Sequence, residues 1–207
     1  MICLGSDVLR MSVYSETDPL PETTAVVQIG LRDWELGKNY AAEWAMRADV
    51  KSTVVDLTQE LRQQGGAALE TRAAASLDTL EASNWSTKRE LARAAASTGS
   101  NTAPMTPDWV MMSLVDNLPD NAIVVDEGIT TTNPLLQFLP FRHRYDYFGN
   151  VSGGIGWGIA AAVGVQLAQP ESRVVAIIGD GSAMYSIQAL WSAAKHKLPM
   201  TFVIANN

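Results

Sequence analysis

Two apolar runs near the end of the chain, 174–178 and 200–205, constrain the fold more than any other feature. The first leads into Gly179-Asp180-Gly181 and the second into Asn206-Asn207. Between them, residues 185–196 read as a helix. An apolar run with no polar alternation is a strand buried on both faces, and two such strands joined by a helical crossover lie parallel. A parallel sheet places its functional groups just beyond the carboxyl ends of its strands. Asp180 and Asn207 both stand at such ends.

The same alternation continues upstream. A helix is expected over 109–118, opened by Thr106 with Pro107 at the first helical position. A strand at 122–126, a helix at 131–138, a short strand near 145–148 and a helix at 155–168 follow. Residues 1–65 also alternate. A strand is expected at 25–29 and mixed structure at 44–50. The spacing of Val54, Leu57 and Leu61 predicts a helix over 52–63, stopped by Gly65-Gly66. Residues 67–97 read as helix followed by linker, and Ser97 to Pro104 as a joint. The expected fold is α/β, with parallel sheets covered by helices on both faces. Its divisions are 1–65, a helical and linker segment at 66–104, and 105–207.

Composition narrows the function. The chain has 207 residues, of which 47% are hydrophobic, enough for a packed core. A net charge of −7 without a basic patch argues against nucleic-acid binding. Cys3 is the single cysteine, which excludes an internal disulfide and points to a reducing, cytoplasmic setting. No apolar run approaches the roughly 18 residues of a membrane span.

At the strand ends, the crossover brings the Asp180 carboxylate beside the Asn207 carboxamide. Two hard oxygen ligands suit magnesium, whose remaining positions are commonly filled by phosphate oxygens and water. Gly181 permits close approach of backbone to a phosphate, and the helix that follows offers free N–H groups.

Gly179-Asp180-Gly181 with Asn206-Asn207 resembles the GDG…NN motif of thiamine-diphosphate-dependent enzymes. Ser152-Gly153-Gly154-Ile155-Gly156 and Gly164-Val165-Gln166-Leu167-Ala168 resemble the branch that holds benzoylformate decarboxylase and the acetolactate synthase large subunit. The resemblance implies that residues 1–65 are part of a central domain and 105–207 the first half of the diphosphate-binding domain, so that the chain is expected to be a fragment, inactive alone. It implies thiamine diphosphate and Mg2+ as cofactors, with Asp180 and Asn207 as metal ligands. Thr130, Thr131 and Ser182 would meet the diphosphate, alongside Gly179 and Gly181. The Gly153 backbone would accept from the aminopyrimidine, and Ile155 would prop the cofactor in a bent shape. The family's catalytic glutamate falls outside the chain, so no catalytic residue is assigned within it. The implied substrate is a 2-oxo acid, decarboxylated or carboligated by a homodimer or homotetramer with a shared active site. Ser12 aligns with an active-site histidine of benzoylformate decarboxylases.

Several features fit blander readings. Gly154 to Gly158 lacks the spacing of a dinucleotide fingerprint. His143 and His196 have no partners at metal spacing, and Cys3 reads as buried apolar packing. Acetolactate synthases hold FAD in the central domain; Arg10, Arg32 and Lys38 would meet it here, but a solvated surface is the preferred reading. Two alternatives stay open: a transketolase- or dehydrogenase-type thiamine enzyme, and a non-catalytic module that binds cofactor or partner.

Overall fold

The computed structural model describes residues 1–9, 16–81, 83–151 and 153–206, and of Asn101 the backbone only. Arg10, Ser12, Ser152 and Asn207, all invoked above, therefore lie outside the described residues. The chain divides into two compact units, 1–79 and 80–207.

Among the described residues, the first unit holds a three-stranded parallel sheet of β1 (Ile2–Leu4), β2 (Val27–Gly30) and β3 (Trp44–Arg47), in that order. The mixed structure expected over 44–50 thus begins as a strand. Its signal is weak because all four β3 residues are exposed. Gln28 is buried, and its amide binds loops on either side. Nε2 donates to the Ser6 and Glu35 carbonyls at 3.3 and 3.2 Å, and Oε1 accepts from the Gly37 N–H at 2.8 Å. The helix α1 (Val50–Glu81) starts beside Asp49, whose carboxylate accepts from the Ser52 N–H at 2.9 Å. Gly66 breaks it with φ 52°, a left-handed conformation that glycine adopts without steric cost. The glycine pair therefore interrupts the helix at the expected place, and helical structure resumes at once.

The second unit begins with α2 (Trp85–Ser97), capped by the Asn84 side chain, and α3 (Pro107–Asp116), capped by Thr106. Residues 98–101 form a 3-10 turn, so the expected joint at 97–104 falls inside this unit. Arg89 of α2 donates to the carbonyls of Gln137 and Leu139, which ties that helix to the second unit's core.

The sheet that follows comprises β4 (Ala122–Glu127), β5 (Tyr147–Gly149), β6 (Arg173–Gly179) and β7 (Thr201–Ala205). All pairs are parallel, in the spatial order β5-β4-β6-β7. Side-chain alternation sends Val124, Val175 and Ile177 to one face, against Met111, Leu135 and Phe138. Ile123, Val125, Val174, Ala176 and Ile178 point to the other, against Ile159, Ala162 and Ala183. The sheet is covered on both faces, as its continuous apolar strands require. Each fully buried Ile contributes about 1.5–3 kcal/mol of transfer free energy.

Three expected helices are shorter than read. The 131–138 segment condenses to α4 (Leu135–Phe138), because Pro134 disfavours helical backbone at the residue before it. The 155–168 helix starts only at α5 (Gly158–Ala168), after Gly156 takes φ 93°. Ile155 accordingly sits in a turn, not at a helix start. The 185–196 helix shrinks to α7 (Ala189–Lys195), and a separate short helix that the sequence reading did not include, α6 (Asp180–Tyr185), follows β6 without a loop.

The α5–β6 connection is held by Gln166, which is fully buried. Its Nε2 donates to the carbonyls of Gln169 and Ser172 at 3.1 and 2.8 Å, and its Oε1 accepts from the Val174 N–H at 3.0 Å. Gln166→Leu keeps the volume but strands the buried Val174 N–H, at about 1–3 kcal/mol for an unsatisfied group. A loss of stability of that size in chemical denaturation is the expected outcome; an unchanged midpoint would contradict this role.

Candidate functional site

The strand order places the site. β4 connects outward to β5, and the chain then returns to β6 on the other side of β4. Two neighbouring strands whose connections leave in opposite directions open a crevice at their carboxyl ends. The register sets β4 Glu127 beside β6 Ile178, and β6 Gly179 beside β7 Ala205. The three strands therefore end almost level. A cavity of about 510 Å³ lies there.

The chain leaving β4 supplies Thr130 and Thr131 to this cavity, together with the exposed Ile129. The chain leaving β6 supplies Gly179, Asp180, Gly181, Ser182 and Tyr185. Ile155 reaches in from the turn before α5. Seven of the nine residues singled out in the sequence thus share one cavity: Thr130, Thr131, Ile155, Gly179, Asp180, Gly181 and Ser182. Gly153 occupies the same turn as Ile155, with φ 75°, but does not line the cavity. Asn207 is outside the described residues, and β7 brings Ala205, two residues before it, to the cavity's lining. Asp180 is exposed, whereas Ser182 is buried at the base of α6. At Gly181 a Cβ would meet nothing within 4 Å, so the backbone there borders open space.

Two acidic residues at the end of β4 have structural parts that the sequence alone does not show. Glu127 is buried at 5% exposure. Its Oε1 accepts from the Trp157 N–H at 2.9 Å and its Oε2 from the Gly158 N–H at 2.7 Å. A carboxylate there satisfies the open N–H groups of α5 and complements its dipole. Gly158 makes the approach possible, since a Cβ would stand 2.7 Å from the Glu127 Cβ and 2.5 Å from Ile178 Cδ1. Glu127 thereby anchors the turn that carries Ile155. Asp126 accepts from the Gly128 N–H and from the Tyr147 hydroxyl, both at 2.9 Å. Burial, followed by the Asp126 charge and its hydrogen bond, pushes the Tyr147 phenol well above its ordinary pKa, so it stays a donor. The available sequence signal is an acidic pair directly after an apolar strand, where carboxylates need partners. Tyr147 and Tyr185 have no sequence signal beyond their being aromatic.

Among the described residues, no three His, Cys, Asp or Glu side chains gather as a metal centre. In the first unit, Arg32 pairs with Glu35 at 2.8 Å and Lys38 stands 5.2 Å over the Trp34 ring. His143 hydrogen-bonds through its backbone to Asp146 at 2.8 Å. No helix among the described residues is long and apolar enough to cross a membrane.

Residues 128–207 match the family model of the thiamine pyrophosphate enzyme C-terminal TPP-binding domain. The chain is similar to benzoylformate decarboxylase of Pseudomonas aeruginosa, 46% identical over 105 residues, which are 50% of this chain and 20% of that protein. It is 28% identical over 200 residues to an acetolactate synthase large subunit of Parasynechococcus marenigrum, covering 94% of this chain and 30% of the relative. A thiamine diphosphate-dependent 4-hydroxybenzoylformate decarboxylase of Rhodococcus jostii superposes with a TM-score of 0.71 at 26% identity, over 100% of this chain and 35% of that one. The resemblance to thiamine-diphosphate enzymes and the α/β fold are thereby shown. The chain spans about a third or less of the length of these relatives.

Replacing Glu127 by Gln puts an NH2 group against one of two N–H donors. Glu127→Gln is expected to cost about 1–3 kcal/mol of stability, read as a lower melting temperature. A melt identical to that of the unmodified chain would show that the α5 anchor contributes nothing.

Proposed function

We propose that the cavity at the ends of β4, β6 and β7 holds thiamine diphosphate with Mg2+, and that the chain is the cofactor-binding part of an enzyme that decarboxylates or carboligates 2-oxo acids. The observation that carries this reading is the convergence of the β4 exit loop and the Gly179–Ser182 segment on one cavity. Its volume lies within the usual range of small-molecule sites. The residues present fit the group. Hydroxyl donors stand on two sides, a carboxylate is exposed at the rim, and Gly181 leaves backbone open to an incoming phosphate.

On this reading Thr130, Thr131 and Ser182 donate hydrogen bonds to diphosphate oxygens, and the glycines at 179 and 181 keep the backbone close. Asp180 supplies an anionic ligand to magnesium, with Asn207 as the second protein ligand. Both would offer hard oxygen atoms of the kind this cation prefers alongside phosphate oxygens. Ile155 would present an apolar side chain to the rings, and the backbone of Gly153, in the same turn though outside the cavity lining, would accept from the aminopyrimidine. Thiamine diphosphate, when bound, supplies an electron sink for carbon–carbon bond cleavage or formation beside a carbonyl. The protein's part is to bind, orient and exclude water.

Glu127 lines the cavity but takes no acid–base part in this account, because backbone N–H groups occupy both its oxygens. The resemblance to the family implies that a glutamate other than Glu127 would serve the pyrimidine as proton donor. The proposed substrate is a small 2-oxo acid, and the proposed assembly is a homodimer or homotetramer with a shared site.

Asp180→Asn tests the reading. It leaves shape nearly constant and removes the charge that opposes the cation. Mg2+-dependent binding of thiamine diphosphate, measured by titration calorimetry on the gene product that contains this chain, is expected to weaken at least about 100-fold, the upper range for loss of a supporting metal-site residue. Retention of the unmodified affinity would refute the assignment.

A further inference from the structure

The loop that leaves β4 is pinned at both ends, by Asp126 and by Thr132, and neither of these two residues lines the cavity. At its start, the Gly128 N–H donates to Asp126 Oδ1 at 2.9 Å. Asp126 is only 9% exposed, and its other oxygen accepts from the Tyr147 hydroxyl at 2.9 Å. Tyr147 belongs to β5, an edge strand paired with β4 through Val124. Its ring lies over Gly149, where a Cβ would fall 2.6 Å from the hydroxyl oxygen. Any larger residue at 149 would therefore push the hydroxyl off Asp126. The loop's far end is Thr132, which is 3% exposed and folds back onto Gly128. A Cβ at Gly128 would stand 2.1 Å from Thr132 Cγ2. The Thr132 carbonyl accepts from the Leu135 N–H at 2.8 Å, which joins this end to α4. Only Ile129, Thr130 and Thr131, between the pins, extend into the cavity beyond Gly128.

We infer that Tyr147 and Asp126 are positioning residues for the diphosphate subsite. The hydroxyl of Tyr147 holds Asp126, Asp126 holds the Gly128 N–H, and the loop is thereby shaped before any anion arrives. This inference rests on the reading of the cavity as a diphosphate site. Its physical basis is preorganisation: a loop ordered in advance does not lose conformational freedom on binding, and that freedom is a main cost of association. Asp126 is well suited to the part. Two neutral donors satisfy its two oxygens, so rotation of the carboxylate would leave a buried charge without one of them. Neither residue lines the cavity, so neither touches the ligand directly.

Tyr147→Phe removes one oxygen and keeps the ring. Three measurements on the gene product that contains this chain test the inference. Amide hydrogen exchange without ligand should quicken at 128–132 and stay unchanged in β6. The dissociation constants for thiamine diphosphate and for inorganic pyrophosphate, each with Mg2+, should rise about tenfold, the size expected from one hydrogen bond to a charged group. Turnover at saturating thiamine diphosphate should return to the unmodified value, because the filled loop has the same shape; a merely structural residue would not give that split. The double variant Asp126→Ala, Tyr147→Phe should bind no more weakly than Asp126→Ala alone, since the hydroxyl acts only through that carboxylate. Unchanged pyrophosphate affinity in Tyr147→Phe, or additive losses in the double variant, would overturn the inference. Absence of diphosphate binding by the unmodified protein would overturn the cavity reading and this inference with it, which separates the two failures.

Discussion

The parallel pairing of β4 with β6 is the constraint on which the second unit depends. Six residue pairs, from Ala122 with Arg173 to Glu127 with Ile178, place these strands side by side. Both strands are buried on both faces, so their interiors are closed to polar chemistry. Polar groups are admitted only where the strands end, and the register makes them end together. The cavity, the acidic pair of β4 and the Gly-Asp-Gly segment of β6 are consequences of that shared ending. The same pairing explains Gly158: α5 must come close enough to the sheet for Glu127 to reach its first N–H groups.

Much of this was legible in the residues. The runs at 174–178 and 200–205 became β6 and β7 with boundaries shifted by one residue at most. Gly66 broke its helix, and Thr106 with Pro107 opened α3. What escaped detection had physical reasons. β3 is exposed along its length and has no buried face to create alternation. Residues 155–157 looked helical because their apolar side chains continue into α5, whereas the positive φ of Gly156 delays the helix by nearly a turn. The joint expected at 97–104 is rich in small polar residues, yet Ala96 beside it is buried in the core cluster with Met111 and Phe138. Composition pointed to a boundary there, whereas the two units divide between Thr79 and Leu80.

The candidate site shows a similar division. Residues with unusual chemistry for their position, such as Asp180 between two glycines, could be picked out from sequence, and the structure brings seven of the nine to one cavity. Residues that act through ordinary chemistry could not. Glu127 has the composition of any acidic turn residue until its two N–H partners are known. Tyr147 reads as a strand aromatic, and only the 2.9 Å contact with Asp126 separates it from core packing. Sequence patterns report which groups are present, and three-dimensional register reports which of them are already occupied. That distinction assigns Glu127 to architecture and leaves Asp180 open to a ligand.

The most direct test of the central claim is a crystal structure of the gene product with thiamine diphosphate and Mn2+ in place of Mg2+, using anomalous scattering to locate the metal. The account predicts one manganese site coordinated by an Asp180 carboxylate oxygen, with the diphosphate between the β4 exit loop and Ser182. Manganese bound away from Asp180, or a diphosphate that touches neither Thr130, Thr131 nor Ser182, would contradict it.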